Sequence, residues 1–334
     1  MRKALVVSGA LGALVVAGAL AVAAQIHAGA ARADAACTPT GFSRDSINLT
    51  ARLINPKKVS GEVDAGGCNI GVYFGPGAKG TVDGAEIHGA NYFGVVNDGG
   101  SVTIRDSDIH DIGESPLNGT QHGVGVYFTY GSGATGQITH NHLWNYQKGG
   151  IVVNGTGDSA TIQDNSVEGQ GPVSYIAQNG IQVGYGASAS VMRNTVTGNA
   201  YTGTSTASGG IIVVGGPFYG GDYTTGTQIE GNLVTGNDIG IWITDIDAAA
   251  NPPATQSNIK VVNNTISNGA VTNHYGGVGY QAGIADQGNN DKLIHNTISG
   301  TGYTPVAGDS PYLRFIDADA SFTNRAKIHA NVTP

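Results

Sequence analysis

Gly150-Ile151-Val152-Val153, Gly180-Ile181-Gln182-Val183, Gly210-Ile211-Ile212-Val213 and Gly240-Ile241-Trp242-Ile243 follow one another at intervals of 30 residues. The same phrase recurs less regularly on both sides. It appears as Gly71-Val72-Tyr73-Phe74, Gly94-Val95-Val96 and Gly125-Val126-Tyr127-Phe128 before this stretch, and as Gly283-Ile284-Ala285 after it. Fixed self-similarity on this scale marks a solenoid, in which each coil buries its apolar face only by stacking on its neighbours.

A second phrase, apolar-x-x-Asn-x-apolar, accompanies the first. It reads Ile138…Asn141…Leu143, Ile162…Asn165…Val167, Val191…Asn194…Val196, Val261…Asn264…Ile266 and Leu293…Asn296…Ile298, with Gly231-Asn232-Leu233-Val234 slightly irregular. Four- to six-residue runs with period-two alternation, bounded by Gly and Asn, read as strands. Asn tolerates the left-handed backbone that a sharp turn requires. Stacked in register, its amides are expected to bond up and down the molecule. The Leu positions of leucine-rich repeats are missing, and a propeller needs about 40 or more residues per repeat. The expectation is an all-β, parallel β-helix of about eight to nine coils.

Gly-Ile-x-Val followed by Leu293-Ile294-His295-Asn296-Thr297-Ile298-Ser299-Gly300 resembles the right-handed β-helix repeats of the pectate-lyase-like superfamily, over roughly residues 60–300. The resemblance implies a right-handed coil and a polysaccharide partner. It further implies a lyase-type chemistry, in which a basic side chain removes the proton next to a uronate carboxylate that Ca²⁺ or another cation neutralises. The superfamily also holds hydrolases, epimerases, adhesins and tailspikes. No counterpart of the basic signature of the pectate lyases proper is present.

The chain starts Met1-Arg2-Lys3, continues apolar from Ala4 to about Ala24 and reaches the small-x-small site Ala31-Arg32-Ala33. That is the pattern of a cleaved export signal, so residues 1–33 are read as a signal peptide and the protein as secreted, with no membrane anchor. Residues 34–60 are expected as an N-terminal cap, 61–304 as the β-helix and 305–334 as a C-terminal cap or tail. Cys37 and Cys68 are the two cysteines, and in an exported chain they read as one disulfide stapling the N-terminal end. The net charge is −8, and cleavage after Ala33 removes three basic residues and no acidic one. Nucleic acid is thereby excluded, because its phosphates need a basic surface. A neutral glycan fits, as does an acidic one bound through a metal. A monomer is expected.

In each repeat, residues one and three after the register glycine should face the core and the residue two after it should face out. Tyr127, Gln182 and Trp242 lie on that outward stripe, and Lys148, Gln178 and Asp238 two residues before the glycine. Insertions at 114–121, 169–177, 199–207 and 269–280 precede the register strands and carry Tyr175, Tyr201, Tyr275 and Tyr280. Tyr127, Tyr175, Gln178, Gln182, Asp238 and Trp242 are therefore candidate sugar-binding residues. Tyr127 and Trp242 are also suited to packing beneath a loop. Lys148 is the sole lysine between Lys79 and Lys260. With His122, and with His110, Asp111 and Glu114 from the densest charged segment, it forms the candidate catalytic set. Asp108, Asp111 and Glu114 are the candidate ligands should Ca²⁺ be used, although their spacing matches no EF-hand loop. In a hydrolase, Asp111 and Glu114 would be the acid and base instead.

Overall fold

The β-branched runs fold into strands of three to ten residues that repeat once per coil. The structure is a computed structural model and describes residues 36–305 and 315–334; the expected signal peptide lies outside the described residues. Among them, two sheets wrap one core. The first face is an eleven-stranded sheet. Thr38–Arg44 pairs antiparallel with Ile47–Ile54, and every later neighbour is parallel: Ile70–Phe74, Phe93–Asn97, Val124–Phe128, Gly149–Asn154, Asn179–Gly184, Gly209–Gly215, Ile239–Asp245, Ala282–Asp286 and Ile316–Ala318. The second sheet has seventeen strands and bends over two further faces. Its long strand Lys79–His88 pairs with Ser101–Arg105 through one half and with Asp108–Ile112 through the other. No helix among the described residues is long and apolar enough to cross a membrane.

The register glycines form one column, with Gly150, Gly180, Gly210 and Gly240 stacked by the strand pairing. A Cβ at Gly210 would lie 2.7 Å from the Gly240 carbonyl oxygen and 2.8 Å from a Val234 methyl group. The same collision recurs from Gly71 to Gly283, at 2.5–2.8 Å from the carbonyl of the next coil. The 30-residue signal is thus a packing requirement, since at this point backbone lies directly against the coil above and a side chain of the opposite face. One and three residues after the glycine, Ile151, Val153, Ile181, Val183, Ile211 and Val213 are fully buried in the common core.

Asn141, Asn165, Asn194, Asn232, Asn264, Asn296 and Asn331 form a continuous ladder. Each Nδ2 donates to the next Oδ1 at 2.9–3.0 Å. Each backbone N–H donates to the same oxygen. The left-handed residue is not the asparagine but its predecessor: Asp106, His140, Asp164, Arg193, Gly231, Asn263, His295 and Ala330 have φ between 51° and 67°. That conformation costs about 1–2 kcal/mol for a non-glycine residue. The asparagine that follows turns its amide inward and satisfies the backbone of the corner. In the Asp106–Asp108 coil Ser107 takes the ladder position, its N–H donating to Asn141 Oδ1 at 3.2 Å.

The ends differ from expectation. Ile47–Ile54 already belongs to the first face, and Ile316–Ala318 and Lys327–His329 extend both sheets past residue 304. The last segment therefore adds a coil instead of leaving the register. Ten parallel strands stack on the first face where about eight or nine coils were expected. The final coil carries Phe315 opposite Gly283, so the glycine signal is absent there. Cys37 and Cys68 are joined by a disulfide with their Cα atoms 5.5 Å apart.

Candidate functional site

The outward side of the first face is not bare. At its N-terminal end Phe42 of the Thr38–Arg44/Ile47–Ile54 hairpin packs over Tyr73 and Phe93, in a cluster that includes Tyr92, Val124, Tyr127 and Val152. Toward the other end, Tyr185, Ala207, Ile212 and Trp242 form a second apolar cluster against Tyr219 and Tyr280. Between the two clusters lies a cleft. Its larger compartment, about 120 Å³, is walled by Tyr175, Tyr201 and Tyr219 and floored by Lys148, Asn179, Gln182, Ile212 and Trp242. A narrower compartment adjoins it, sharing Gln121, Lys148, Asn179 and Gln182 and adding Arg44, Phe93 and Tyr127. The inserted loops 114–121, 169–177 and 199–207 all reach the larger compartment, and among the described residues no carboxylate lines either compartment.

Lys148 is common to both. It is 9 % exposed, and its Nζ donates to the Ala177 carbonyl oxygen at 2.9 Å. No carboxylate among the described residues pairs with it. Burial disfavours the charged amine and lowers its pKa from 10.5 to about 8. Beside it, Gln182 donates to Asn154 Oδ1 at 3.0 Å and faces the cleft together with Asn179.

Two expected sugar-binding residues turn out to brace loops. Gln178 is fully buried. Its Oε1 accepts the Gln170 N–H at 2.9 Å and its Nε2 donates to the Tyr146 carbonyl at 2.6 Å. Asp238 accepts the N–H groups of Tyr201 and Ser208, both at 2.9 Å, and burial raises its pKa to about 7. Gln147 and Gln281 do the same for the loops at 114–121 and 269–280. Gln147, Gln178, Asp238 and Gln281 are therefore polar because the long insertions beside them need buried partners for their backbone. Tyr127 is buried against Phe93, with ring centroids 4.8 Å apart, and Trp242 is 1 % exposed. Both border the cleft, but neither offers an open ring face. Tyr175 lines it directly, its hydroxyl donating to Gln170 Oε1 at 2.6 Å.

The remaining candidate catalytic residues do not converge on Lys148. His122 stacks on Tyr92 at 3.9 Å, with Nε2 2.7 Å from Glu114 and Nδ1 3.8 Å from Asp45. It is not among the residues lining either compartment. His110 and Asp111 lie on the second sheet, where His110 Nδ1 is 2.8 Å from Asp111 and the imidazole is sandwiched between His88 and Trp144. Hydrogen bonds from Asn145 and His110 hold the Asp111 carboxyl below its ordinary pKa, against the opposing effect of partial burial. Sequence proximity suggested one site, but the corner after Ile112 sends Asp111 and Glu114 to different faces.

The Ca²⁺ ligand set fails for the same reason. Asp108 faces His142 at 3.7 Å, Asp111 is held by His110 and Asn145, and Glu114 by His122 and Asn91. Among the described residues no three His, Cys, Asp or Glu side chains are placed to hold a metal ion. These residues do not fit the group.

Arg44, Asn179 and Tyr219 were not singled out by sequence reasoning. Arg44 and Tyr219 come from segments outside the repeat, the hairpin tip and the short 3-10 turn Pro217–Tyr219. Asn179 stands directly before a register glycine, where strict alternation turns it toward the core although the structure places it in the cleft; a polar residue at that position was the available signal.

Comparison with known proteins bears on the fold. Two A-modules of Azotobacter vinelandii mannuronan C-5 epimerases are similar in structure at low identity. AlgE6 aligns over 79 % of this chain and 68 % of its own, at 15 % identity and a TM-score of 0.35. AlgE4 aligns over 86 % and 89 %, at 12 % identity and a TM-score of 0.34. No curated protein matches the chain in sequence. The family described as "Right handed beta helix region" matches residues 62–167 and 149–317, overlapping spans that take in most of the stacked coils. The chain belongs to that right-handed β-helix family.

Proposed function

We propose that the chain is a secreted, carbohydrate-active enzyme whose first-face cleft takes an anionic polysaccharide, and that Lys148 removes the proton next to a sugar carboxylate. One observation carries this reading. In a protein of net charge −8, no carboxylate among the described residues lines the cleft, and the buried amine in it has no counter-charge among them. An acidic sugar enters the cleft without meeting a like charge on its lining. A lysine amine desolvated to a pKa of about 8 is neutral in a useful fraction near neutral pH and can act as a general base. Its nitrogen takes the proton, and the C–H electron pair forms a carbon–carbon double bond. The glycosidic carbon–oxygen bond on the adjacent carbon breaks, and the leaving oxygen takes a proton from a tyrosine hydroxyl or water. Tyr175, which lines the cleft and whose hydroxyl donates to Gln170 Oε1, is the candidate donor, and partial burial raises its pKa further.

Hydrolysis is the weaker reading, because it needs two carboxyl groups about 5–5.5 Å or 6.5–9.5 Å apart across the bond. Asp111 and Glu114 lie outside the cleft lining. A non-catalytic glycan-binding role is favoured by one feature, the existing bond of Lys148 to the Ala177 carbonyl. Secretion is supported by the N-terminal pattern and the Cys37–Cys68 disulfide. A panel of acidic and neutral polysaccharides, read for 235 nm absorbance and reducing ends with and without EDTA, tests the proposal. New 235 nm absorbance on an acidic member supports it. Reducing ends without absorbance indicate hydrolysis, and retention without new ends indicates a binder.

A further inference from the structure

The N-terminal hairpin reaches further than a cap needs to. Its two-residue turn, Asp45-Ser46, has φ of 51° and 63°, the geometry of a tight hairpin turn. The tip overhangs the sheet, so that Arg44 meets Tyr127, whose strand is three rungs beyond Ile47–Ile54 and roughly 14 Å along the stack. Arg44 Nη1 donates to the Tyr127 hydroxyl at 3.3 Å, and the guanidinium lies 5.8 Å from the ring centroid. Its side chain is 18 % exposed and lines the narrower compartment, which also contains Lys148. Its one carboxylate neighbour, Asp45, is 3.9 Å away and itself half exposed. Asp45 in turn faces His122, which Glu114 and Tyr92 hold in place.

We infer that Arg44 is a specificity-determining residue that binds a second acid group of the same polymer, and that His122 is the positioning residue for the hairpin tip. This rests on the cleft reading above. With Lys148 working as a neutral base on one sugar, Arg44 is the standing cation beside it. The narrower compartment holds only about 10 Å³, so an acid group of a neighbouring sugar would meet the exposed part of the Arg44 side chain instead of entering it. The role of His122 is indirect, through Asp45 and the placing of Arg44.

The test is affinity electrophoresis of the full chain through gels containing polygalacturonate, alginate or neutral dextran. The proteins compared are wild type, Lys148→Ala, Arg44→Ala, His122→Ala and the double variant Arg44→Ala/His122→Ala. Arg193→Ala, which breaks an exposed pair with Asp164 at the opposite corner, is the control. Wild type should be retarded by at least one polyuronate and not by dextran. Arg44→Ala should bind about tenfold more weakly or worse, the loss expected for a hydrogen bond to a charged group, and Arg193→Ala should be unchanged. His122→Ala should weaken binding in the wild-type background and add nothing once Arg44 is gone, which a general loss of stability would not reproduce. Arg44→Ala binding like wild type while Lys148→Ala loses binding overturns this inference alone. Wild type unretarded by either polyuronate overturns it together with the cleft reading.

Discussion

The Lys148 ammonium donates to the Ala177 carbonyl oxygen at 2.9 Å, so the lysine at the foot of one register strand is held by the loop inserted before the next. That bond aims the amine into the cleft and leaves it without a neutralising carboxylate. Replacing Lys148 with Met keeps the apolar stem and removes the buried charge. Lys148→Met should match or exceed wild type in thermal stability while losing at least about 10²-fold in activity, the lower range for a positioned acid or base. Melting curves and turnover measured side by side check this.

The acid–base role sets a pH profile. The working form is the neutral amine, so kcat/KM should rise with pH and level off above about 8, where the lowered lysine pKa lies. A limb instead near pH 6.5 would point to an unperturbed histidine.

Stability should run the other way. Burial raises Asp158 to about 6 and Asp238 and Asp245 to about 7. Burial and the neighbouring buried carboxyl of Asp286 push Asp291 well above the ordinary carboxylate range. Between pH 4 and 7 the folded chain therefore holds more protons than the unfolded one, and stability falls as pH rises through that window. Urea midpoints from pH 4.5 to 8.5 should decline, and Asp291→Asn should flatten the slope. Asp291 accepts the Ile259 N–H at 2.6 Å and the Ser257 hydroxyl at 2.9 Å, bonds an amide oxygen can keep.

The two columns make contrasting predictions. Gly210→Ala drives a methyl group to 2.7 Å from the Gly240 carbonyl and should cost about 1–3 kcal/mol or more. Gly269→Ala, with nothing within 4 Å of the added carbon, should stay within about 0.5 kcal/mol of wild type. Asn194→Ala removes the link between Asn165 and Asn232 and strands the Ile162 carbonyl, a loss of about 3 kcal/mol or more. Urea unfolding of the three variants separates these outcomes.

The repeat was legible because its cause is local and recurs in every coil. A glycine stands where backbone meets backbone, β-branched residues flank it, and an asparagine follows each corner. The first and last parallel strands of the first face, Ile47–Ile54 and Ile316–Ala318, were missed because Arg52 and Phe315 stand where the glycine would be. The site was legible only in part. Lys148 stood out because lysine is rare and the stripe rule gave its direction. Gln178 and Asp238 share that stripe yet serve loop backbone, a demand invisible until loop paths are known. Asp111 and Glu114 are three residues apart, but a corner separates their faces. Arg44 enters from a hairpin outside the repeat, so no periodicity could place it.

The central claim, proton removal by Lys148 in the first-face cleft, is tested most directly by incubating wild type and Lys148→Ala with polyuronates in D₂O. Deuterium at the carbon bearing the carboxylate is followed by NMR alongside 235 nm absorbance. Wild type should exchange or eliminate that proton on at least one polymer, and the variant, folded by circular dichroism, should do so at least about 10²-fold more slowly. Equal rates for the two proteins, or no exchange and no absorbance on any polyuronate that wild type binds, would contradict the claim.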